Sequence, residues 1–280
     1  MERIQAAIQK AKGKRGDAPA RAGRRPVGVF EASSTTARAT NDQQEANPAW
    51  DALPEFEPDP KLMMKNRVIT FADTDPSHTA FDMLRTRILR TMRQNDWVSL
   101  GITSPTASCG KTMTSLNLAF SLAHQPDLRT VLVDLDLRRP MVGKTLGIER
   151  PQSMASMLQG TRPIVENFVR HGSNLAIGTN AAPIRNSSEL LLNAATTEGV
   201  ARLRSAFQPD VIIYDLPPMM MSDDAMAFLP HMDCMLLVAG AEKTSLDEVD
   251  TCERELSENT NLLGVVLNQC RYTSDSYGYY

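Results

Sequence analysis

The stretch Val98-Ser-Leu-Gly-Ile-Thr-Ser-Pro-Thr-Ala-Ser-Cys-Gly-Lys-Thr112 most constrains the fold, because a short apolar run gives way there to a small-residue loop ending in Gly110-Lys111-Thr112. A phosphate-binding loop needs a buried strand to aim the turn, small residues that let backbone N–H groups close on phosphate oxygens, and a helix whose positive end starts at the turn. The apolar run supplies the strand, and Leu116, Leu118, Ala119, Leu122 and Ala123 supply the helical pattern after it. Lys111 then reaches the β- and γ-phosphates, and Thr112 offers its hydroxyl to Mg²⁺. The pattern G-x-x-x-x-G-K-[ST] is incomplete, since Pro105 stands where its first glycine belongs.

The remaining runs of the same kind are Thr130–Leu135, Asn174–Gly178, Asp210–Asp215, Cys234–Ala239 and Leu263–Asn268, with helical patterns between most of them. Continuous apolar strands alternating with helices predict a doubly wound, mainly parallel α/β sheet that binds ligands at the carboxyl ends of its strands. Val68–Phe71 reads as a further short strand. Ser77–Arg93, with Phe81, Leu84, Ile88, Leu89 and Met92, reads as an amphipathic helix capped by Ser77.

Upstream, residues 1–12 carry Ile4, Ala7, Ile8 and Ala11 at helical spacing beside Arg3, Lys10 and Lys12. That pattern suits a basic amphipathic helix for an anionic membrane surface or a partner helix, or else a solvated terminus. Residues 13–60 read as a disordered linker, in which Trp50 is an apolar island that either docks on the core or serves a partner. The expected division is therefore 1–60 for segment and linker, 61–271 for the folded domain and 272–280 for a flexible tail. That tail holds Tyr272, Tyr277, Tyr279 and Tyr280, four of the five tyrosines in the chain.

Composition excludes several classes. A net charge of −3 over 280 residues argues against bulk nucleic-acid binding. Cys109, Cys234, Cys252 and Cys270 form no C-x-x-C pair, so neither a zinc site nor a disulfide framework is expected, and a reduced cytoplasm fits. No apolar run approaches the ~18 residues of a spanning helix, and the first residues do not read as a secretory signal.

Two acidic elements fall at predicted strand ends. In Thr130-Val-Leu-Val-Asp-Leu-Asp-Leu-Arg-Arg-Pro140, Asp134 and Asp136 sit two residues apart at the rim, where Mg²⁺ can offset their repulsion or one can accept a proton. In Val211-Ile-Ile-Tyr-Asp-Leu-Pro-Pro218, Asp215 has the strand-then-acid form of a Walker B element.

Together these three segments resemble the bacterial tyrosine kinases of capsule and exopolysaccharide assembly, a branch of the P-loop ATPases, over roughly residues 66–280. Pro183-Ile-Arg-Asn-Ser-Ser-Glu-Leu-Leu191 looks like a further motif of that family. The resemblance implies ATP and Mg²⁺ as cofactors and Lys111, Asp134, Asp136 and Asp215 as catalytic residues. It implies Ser108, Cys109, Gly110, Lys111, Thr112, Met113 and Arg138 around the nucleotide, with Thr112, Asp134 and Asp215 at the metal. It also implies transfer of the γ-phosphoryl to Tyr272, Tyr277, Tyr279 and Tyr280 of a neighbouring copy. A homo-oligomer at the inner face of the cell membrane, held there by a membrane-spanning chain-length regulator, completes the expectation.

Departures accompany the likeness. Ala107 and Ser108 replace a common Pro-Gly, and Thr79, Asp82 and Arg85 stand where relatives carry the Glu-x-x-Arg-x-x-Arg pattern that joins subunits in a ring. The alternatives are a partitioning or positioning ATPase of the same fold, whose relatives carry a second lysine where this chain has Thr106, and a nucleotide-binding scaffold without transfer.

Overall fold

Runs such as Val131-Leu-Val and Val211-Ile-Ile-Tyr carry no polar alternation, so they are stable only as strands covered on both faces. The structure, a computed structural model describing residues 47–71, 78–150 and 152–270, shows them so. Seven strands form one sheet: β1 Ser99–Thr103, β2 Thr130–Asp134, β3 Phe168–His171, β4 Leu175–Gly178, β5 Val211–Asp215, β6 Cys234–Gly240 and β7 Leu262–Asn268, in the order β3-β4-β2-β5-β1-β6-β7. All neighbours pair parallel except the edge pair β3–β4.

Successive residues of a strand point to opposite faces, and each face has its own core. Val131, Val133, Ile212, Tyr214 and Leu237 pack under the helices α6 Met154–Gln159, α7 Ser187–Leu191, α8 Ala194–Phe207, α9 Asp224–Phe228 and α10 Leu246–Asn259. Leu132, Ile213, Leu100, Ile102 and Val238 pack under α2 Pro60–Lys65, α3 His78–Gln94, α4 Lys111–Ala123 and α5 Val142–Leu146. Helix α4 is the most enclosed, since Leu116, Leu118, Ala119, Phe120 and Leu122 are all buried against the sheet or α3. Across its outer side, Arg85 of α3 donates from Nη1 to the Ser121 carbonyl at 2.7 Å and pairs with Asp82 at 2.9 Å, while Ser121 Oγ donates to Asp82 at 2.9 Å. Asp82, where the family's ring-forming pattern has arginine, and Arg85, where the pattern's last arginine is kept, thus lock α3 onto α4 within one chain.

The structure corrects two expectations and adds a strand. Val68–Phe71 is no strand: Ile69–Phe71 is a 3₁₀ turn, because the Asn117 side chain of α4 accepts from Ile69 N and Thr70 N at 2.8 and 3.1 Å, the donors a strand would give to a neighbour. Strand β3 is an addition to the predicted runs, being only four residues long and antiparallel at the edge. Packing also extends back at least to Asn47, so residues 47–60 belong to the fold rather than to a linker. Asn47 caps the short helix α1 Pro48–Asp51 and ties it to Ala206 O at 3.0 Å, and Phe56 N donates to Arg170 O at 2.7 Å, covering the exposed edge of β3. Trp50 is 3% exposed, its ring edge-on to Phe207 at 5.7 Å. The basic segment 1–12, the Ser77 cap and the tail tyrosines lie outside the described residues.

Trp50 sets the first prediction. Trp50→Ala should destabilise the chain by about 3 kcal/mol through the cavity it leaves. Trp50→Phe should cost clearly less, because the buried indole N–H it removes has no hydrogen-bond partner. Urea unfolding measures both; an alanine variant as stable as wild type would show that Trp50 does not contribute to the fold, and equal losses would show that the phenylalanine ring does not fill its place.

Candidate active site

The three segments singled out above meet at the carboxyl ends of adjacent strands β2, β5 and β1. Asp134 and Asp215 are partners in the β2–β5 register, and Ile102 of β1 pairs with Asp215 on its other side. The chain leaves β1 towards β2 and later crosses from β5 over β1 to β6, which opens a crevice at this rim.

The loop after β1 is clamped on both flanks. Its start is tied to the segment after β5: Thr103 Oγ1 donates to Pro217 O at 2.7 Å, Met219 N to Ser104 O at 2.9 Å and Met220 N to Pro105 O at 3.1 Å. Pro105 is buried in this contact. The far flank is held by the end of β7 and the turn after β6. Asn268 Nδ2 donates to Cys109 O at 3.0 Å, Gln269 Nε2 to Ser108 O at 3.0 Å and Lys243 Nζ to the same carbonyl at 3.3 Å. Ser108 has φ 65° and Gly110 φ 93°. A Cβ on Gly110 would stand 2.1 Å from Asn268 Nδ2, so only glycine allows helix α4 to start where it does.

From that start, Lys111 Nζ reaches Asp136 Oδ2 at 2.8 Å and Asp215 Oδ2 at 3.8 Å. Thr112 Oγ1 donates to Asp215 Oδ2 at 2.7 Å and Ser115 Oγ to Asp215 Oδ1 at 3.1 Å. Asp136 Oδ1 accepts from Arg139 N at 3.1 Å, and Asp134 Oδ2 from Val142 N at 3.1 Å. Asp134 Oδ1 is buried with no hydrogen-bond partner.

Burial alone would lower the Lys111 ammonium's pKa, but Asp215 and Asp136 outweigh it and hold the lysine above its usual range. Burial, reinforced by the Asp215 charge, pushes the Asp134 carboxyl well above the ordinary range. Burial also raises Asp215, against the pull of Lys111 and the Thr112 hydroxyl. One lysine cannot neutralise three enclosed carboxyls, so the corner is short of positive charge. Hard oxygen donors, one unpartnered, beside a helix N-terminus fit Mg²⁺, an ion that takes one or two carboxylates and completes its shell with water and phosphate.

A cleft of about 530 Å³ opens in front of these groups. Ser108, Gly110, Lys111, Thr112, Met113, Asp136 and Arg138 line it, whereas Asp134 and Asp215 lie behind that lining, fully buried. Cys109 is buried with Sγ 3.4 Å from Thr244 Oγ1 and 3.2 Å from Thr106 O, so its thiol belongs to the packing beneath the loop. Arg138 is fixed by groups the sequence did not reveal: its Nε and Nη2 donate to buried Asp224 at 3.2 Å, and Ser187 and Ser188 Oγ accept from it at 3.0 Å. Ser187 and Ser188 belong to the Ser-Ser-Glu-Leu-Leu segment, which explains that motif as the anchor of an arginine at the cleft. Ser115 was legible in principle, three residues after Thr112 on one helical face; Asp224 follows no pattern.

Residues 100–276 match the family described as CobQ/CobB/MinD/ParA nucleotide binding domain. The chain belongs to that family. Within it, the chain is 31% identical over 209 residues to EpsB of Ralstonia solanacearum, covering 73% of this chain and 27% of EpsB. It is 27% identical over 222 residues to the tyrosine-protein kinase YwqD of Bacillus subtilis, covering 78% of this chain and 92% of YwqD. The kinase domain of Escherichia coli tyrosine kinase ETK superposes with a TM-score of 0.64 at 25% identity, over 80% of this chain and 87% of that domain. The chain thus spans about a quarter of EpsB's length and most of YwqD's. This nucleotide-binding fold accounts for the loop, the helix dipole and the paired strand-end acids. Among the described residues no helix is long and apolar enough to cross a membrane.

The charge imbalance predicts opposite effects on stability and binding. Asp134→Asn should stabilise the chain in EDTA by on the order of 1 kcal/mol, read as a higher thermal midpoint, by removing a buried carboxyl with an unpartnered oxygen. The same variant should lose most of the extra midpoint shift that Mg²⁺ with ATP gives the wild type. Calorimetry with and without Mg-ATP measures both, and a destabilised variant with a full ligand shift would contradict this account of the corner.

Proposed function

We propose that the chain is an ATP-dependent protein-tyrosine kinase whose acceptors are Tyr272, Tyr277, Tyr279 and Tyr280 of another copy. The observation that carries this reading is Lys111 at the start of α4, 2.8 Å from Asp136 and 3.8 Å from Asp215, with Thr112 on the same Asp215. It joins a phosphate-seeking cation to a separate carboxylate lining the cleft, as transfer to a hydroxyl requires.

In this reading the first N–H groups of α4 and the Lys111 ammonium hold the β- and γ-phosphates. A triphosphate competes with Asp136 for Lys111 and frees that carboxylate to act as base. The phenol oxygen attacks the γ-phosphorus, the bond to the β–γ bridging oxygen breaks, ADP leaves with that oxygen, and Asp136 takes the phenol proton. Thr112, Asp215 and Asp134 would hold Mg²⁺, whose charge would offset the clustered carboxylates and the phosphate oxygens. Arg138, anchored on Asp224, presents a further cation at the cleft wall.

In the same reading the protein works as a cytoplasmic homo-oligomer at the inner face of the membrane, regulating exopolysaccharide or capsule export beside a membrane-spanning chain-length regulator; its likeness to tyrosine-protein kinases such as EpsB supports this. Residues 47–271 act as the kinase domain and 272–280 as the acceptor tail. Thr106, where positioning ATPases of this fold carry their second lysine, weighs against that alternative.

Lys111→Met should lower phosphate incorporation roughly 10²-fold or more, and Asp136→Asn should depress kcat more than it changes the KM for ATP. To test transfer between copies, Lys111→Met chain with an intact tail is mixed with active chain whose four tail tyrosines are phenylalanine, and phosphate is mapped by mass spectrometry. Label on the inactive copy's tail is expected. An unlabelled tail, while wild type labels itself, would rule out transfer in trans.

A further inference from the structure

Arg138 has more anchors than a half-exposed arginine needs for stability. Its Nε donates to Ser187 Oγ at 3.0 Å and to Asp224 at 3.2 Å, and its Nη2 to Ser188 Oγ at 3.0 Å and to the same Asp224 at 3.2 Å. Asp224 is fully buried at the start of α9. Burial alone would raise that carboxyl, but the hydroxyls of Ser187 and Ser188 and the guanidinium hold it below the usual carboxylate range. Enclosing an acid costs free energy, and a half-exposed ion pair returns little of it. What such a cradle does fix is orientation.

The guanidinium is used on one side only. Nε and Nη2 face the cradle, whereas Nη1, with two N–H groups, has no acceptor among the described residues. The backbone beneath is pinned as well, since Ile184 N donates to Leu137 O at 2.8 Å and Arg139 N to Asp136 O at 3.1 Å. The Arg138 side chain, 47% exposed, lines the cleft together with Lys111 and Thr112, so the unused N–H groups are available to a ligand there. The segment leading to Asp224 also touches the phosphate loop, Met219 N donating to Ser104 O at 2.9 Å, which keeps cradle and loop at a fixed separation.

That separation decides which ligand group meets the arginine. The first N–H groups of α4 and Lys111 serve a phosphate chain from the loop side, whereas Arg138 stands on the β2 side, two residues past the Asp136 that holds Lys111. A diphosphate ends at the lysine, and a third phosphoryl carries the chain on towards the β2 wall. We propose that Asp224, Ser187 and Ser188 are positioning residues that aim Nη1 of Arg138 at the terminal phosphoryl of a nucleoside triphosphate, so that the site tells ATP from ADP. The proposal rests on the kinase reading for the presence of ATP in this cleft, and it gives the Ser-Ser-Glu-Leu-Leu segment a part in nucleotide selection.

Net charge and orientation predict opposite signs, and nucleotide binding separates them without any transfer reaction. Asp224→Asn removes a negative charge beside the cleft, so if charge alone mattered every nucleotide would bind more tightly. With orientation lost, the variant should instead bind the β,γ-imido analogue of ATP at least ~10-fold more weakly while ADP stays within ~3-fold. Arg138→Lys keeps the charge but not the fork and should behave alike. The double variant Ser187→Ala, Ser188→Ala, which loosens the cradle with both charges in place, should lose at least ~5-fold for the triphosphate analogue alone. Titration calorimetry of the full chain in Mg²⁺ reads these constants, and retained ADP affinity reports a folded phosphate loop. Unchanged or tighter binding of the triphosphate analogue, or ADP affinity falling as far as the analogue's in all three variants, would overturn the proposal. Variants that lose the triphosphate as expected, in a chain whose wild type adds no phosphate to tyrosine, would leave the cradle standing and overturn the kinase reading instead.

Discussion

The site depends on one ammonium group placed among three carboxyls. Lys111 can sit 2.8 Å from Asp136 and 3.8 Å from Asp215 only because α4 starts at Gly110 and because β2 and β5 run parallel with Asp134 and Asp215 in register. A parallel sheet forces the ends of neighbouring strands to the same rim, so acids placed last in two strands must meet. Removing such charges from water costs several kcal/mol per ion, and a single cation offsets only part of it. The imbalance directs the corner towards a metal ion and makes it a place where added positive charge is bound strongly.

The rest of the molecule holds that arrangement still. Two apolar layers, one on each face of the sheet, fix the strand ends, and the buried polar groups of α4 are consumed in specific bonds: Ser115 on Asp215, Asn117 on the 67–70 backbone, Ser121 on Asp82. The irregular phosphate loop is workable for the same reason. With Pro105 where a glycine is usual, the loop's entry is shaped by the 217–220 segment, and its exit is held by Asn268, Gln269 and Lys243. Neighbouring elements substitute for the conformational freedom that the missing glycine would give.

Much of this was legible from the chain. Continuous apolar runs located six of the seven strands, five of them fully covered and so without alternation and β7 a partly exposed edge, and the acids at the ends of β2 and β5 followed from position. What escaped did so for physical reasons. Val68–Phe71 has strand composition, but the Asn117 side chain, 48 and 47 residues away from Ile69 and Thr70, takes its backbone donors. β3 is too short to show a period, and Trp50 sits among Pro, Asn and Ala, so its fit against Phe207 is tertiary information. Asp224 lies far from any motif, and only the fold brings it to Arg138. The Ser187–Leu191 segment was noticed as a likeness, but its role as the arginine's anchor required the structure.

The central claim is that the Lys111–Asp136–Asp215 corner delivers phosphate to tyrosine rather than to water. Intact mass spectrometry of the purified full chain after incubation with ATP, with and without Mg²⁺, followed by site mapping, tests it most directly. The account predicts successive phosphate additions only when Mg²⁺ is present, confined to Tyr272, Tyr277, Tyr279 and Tyr280 and lost with Asp136→Asn. Steady release of inorganic phosphate from ATP with no mass added to the protein would contradict it and make the chain an ATPase of the positioning type.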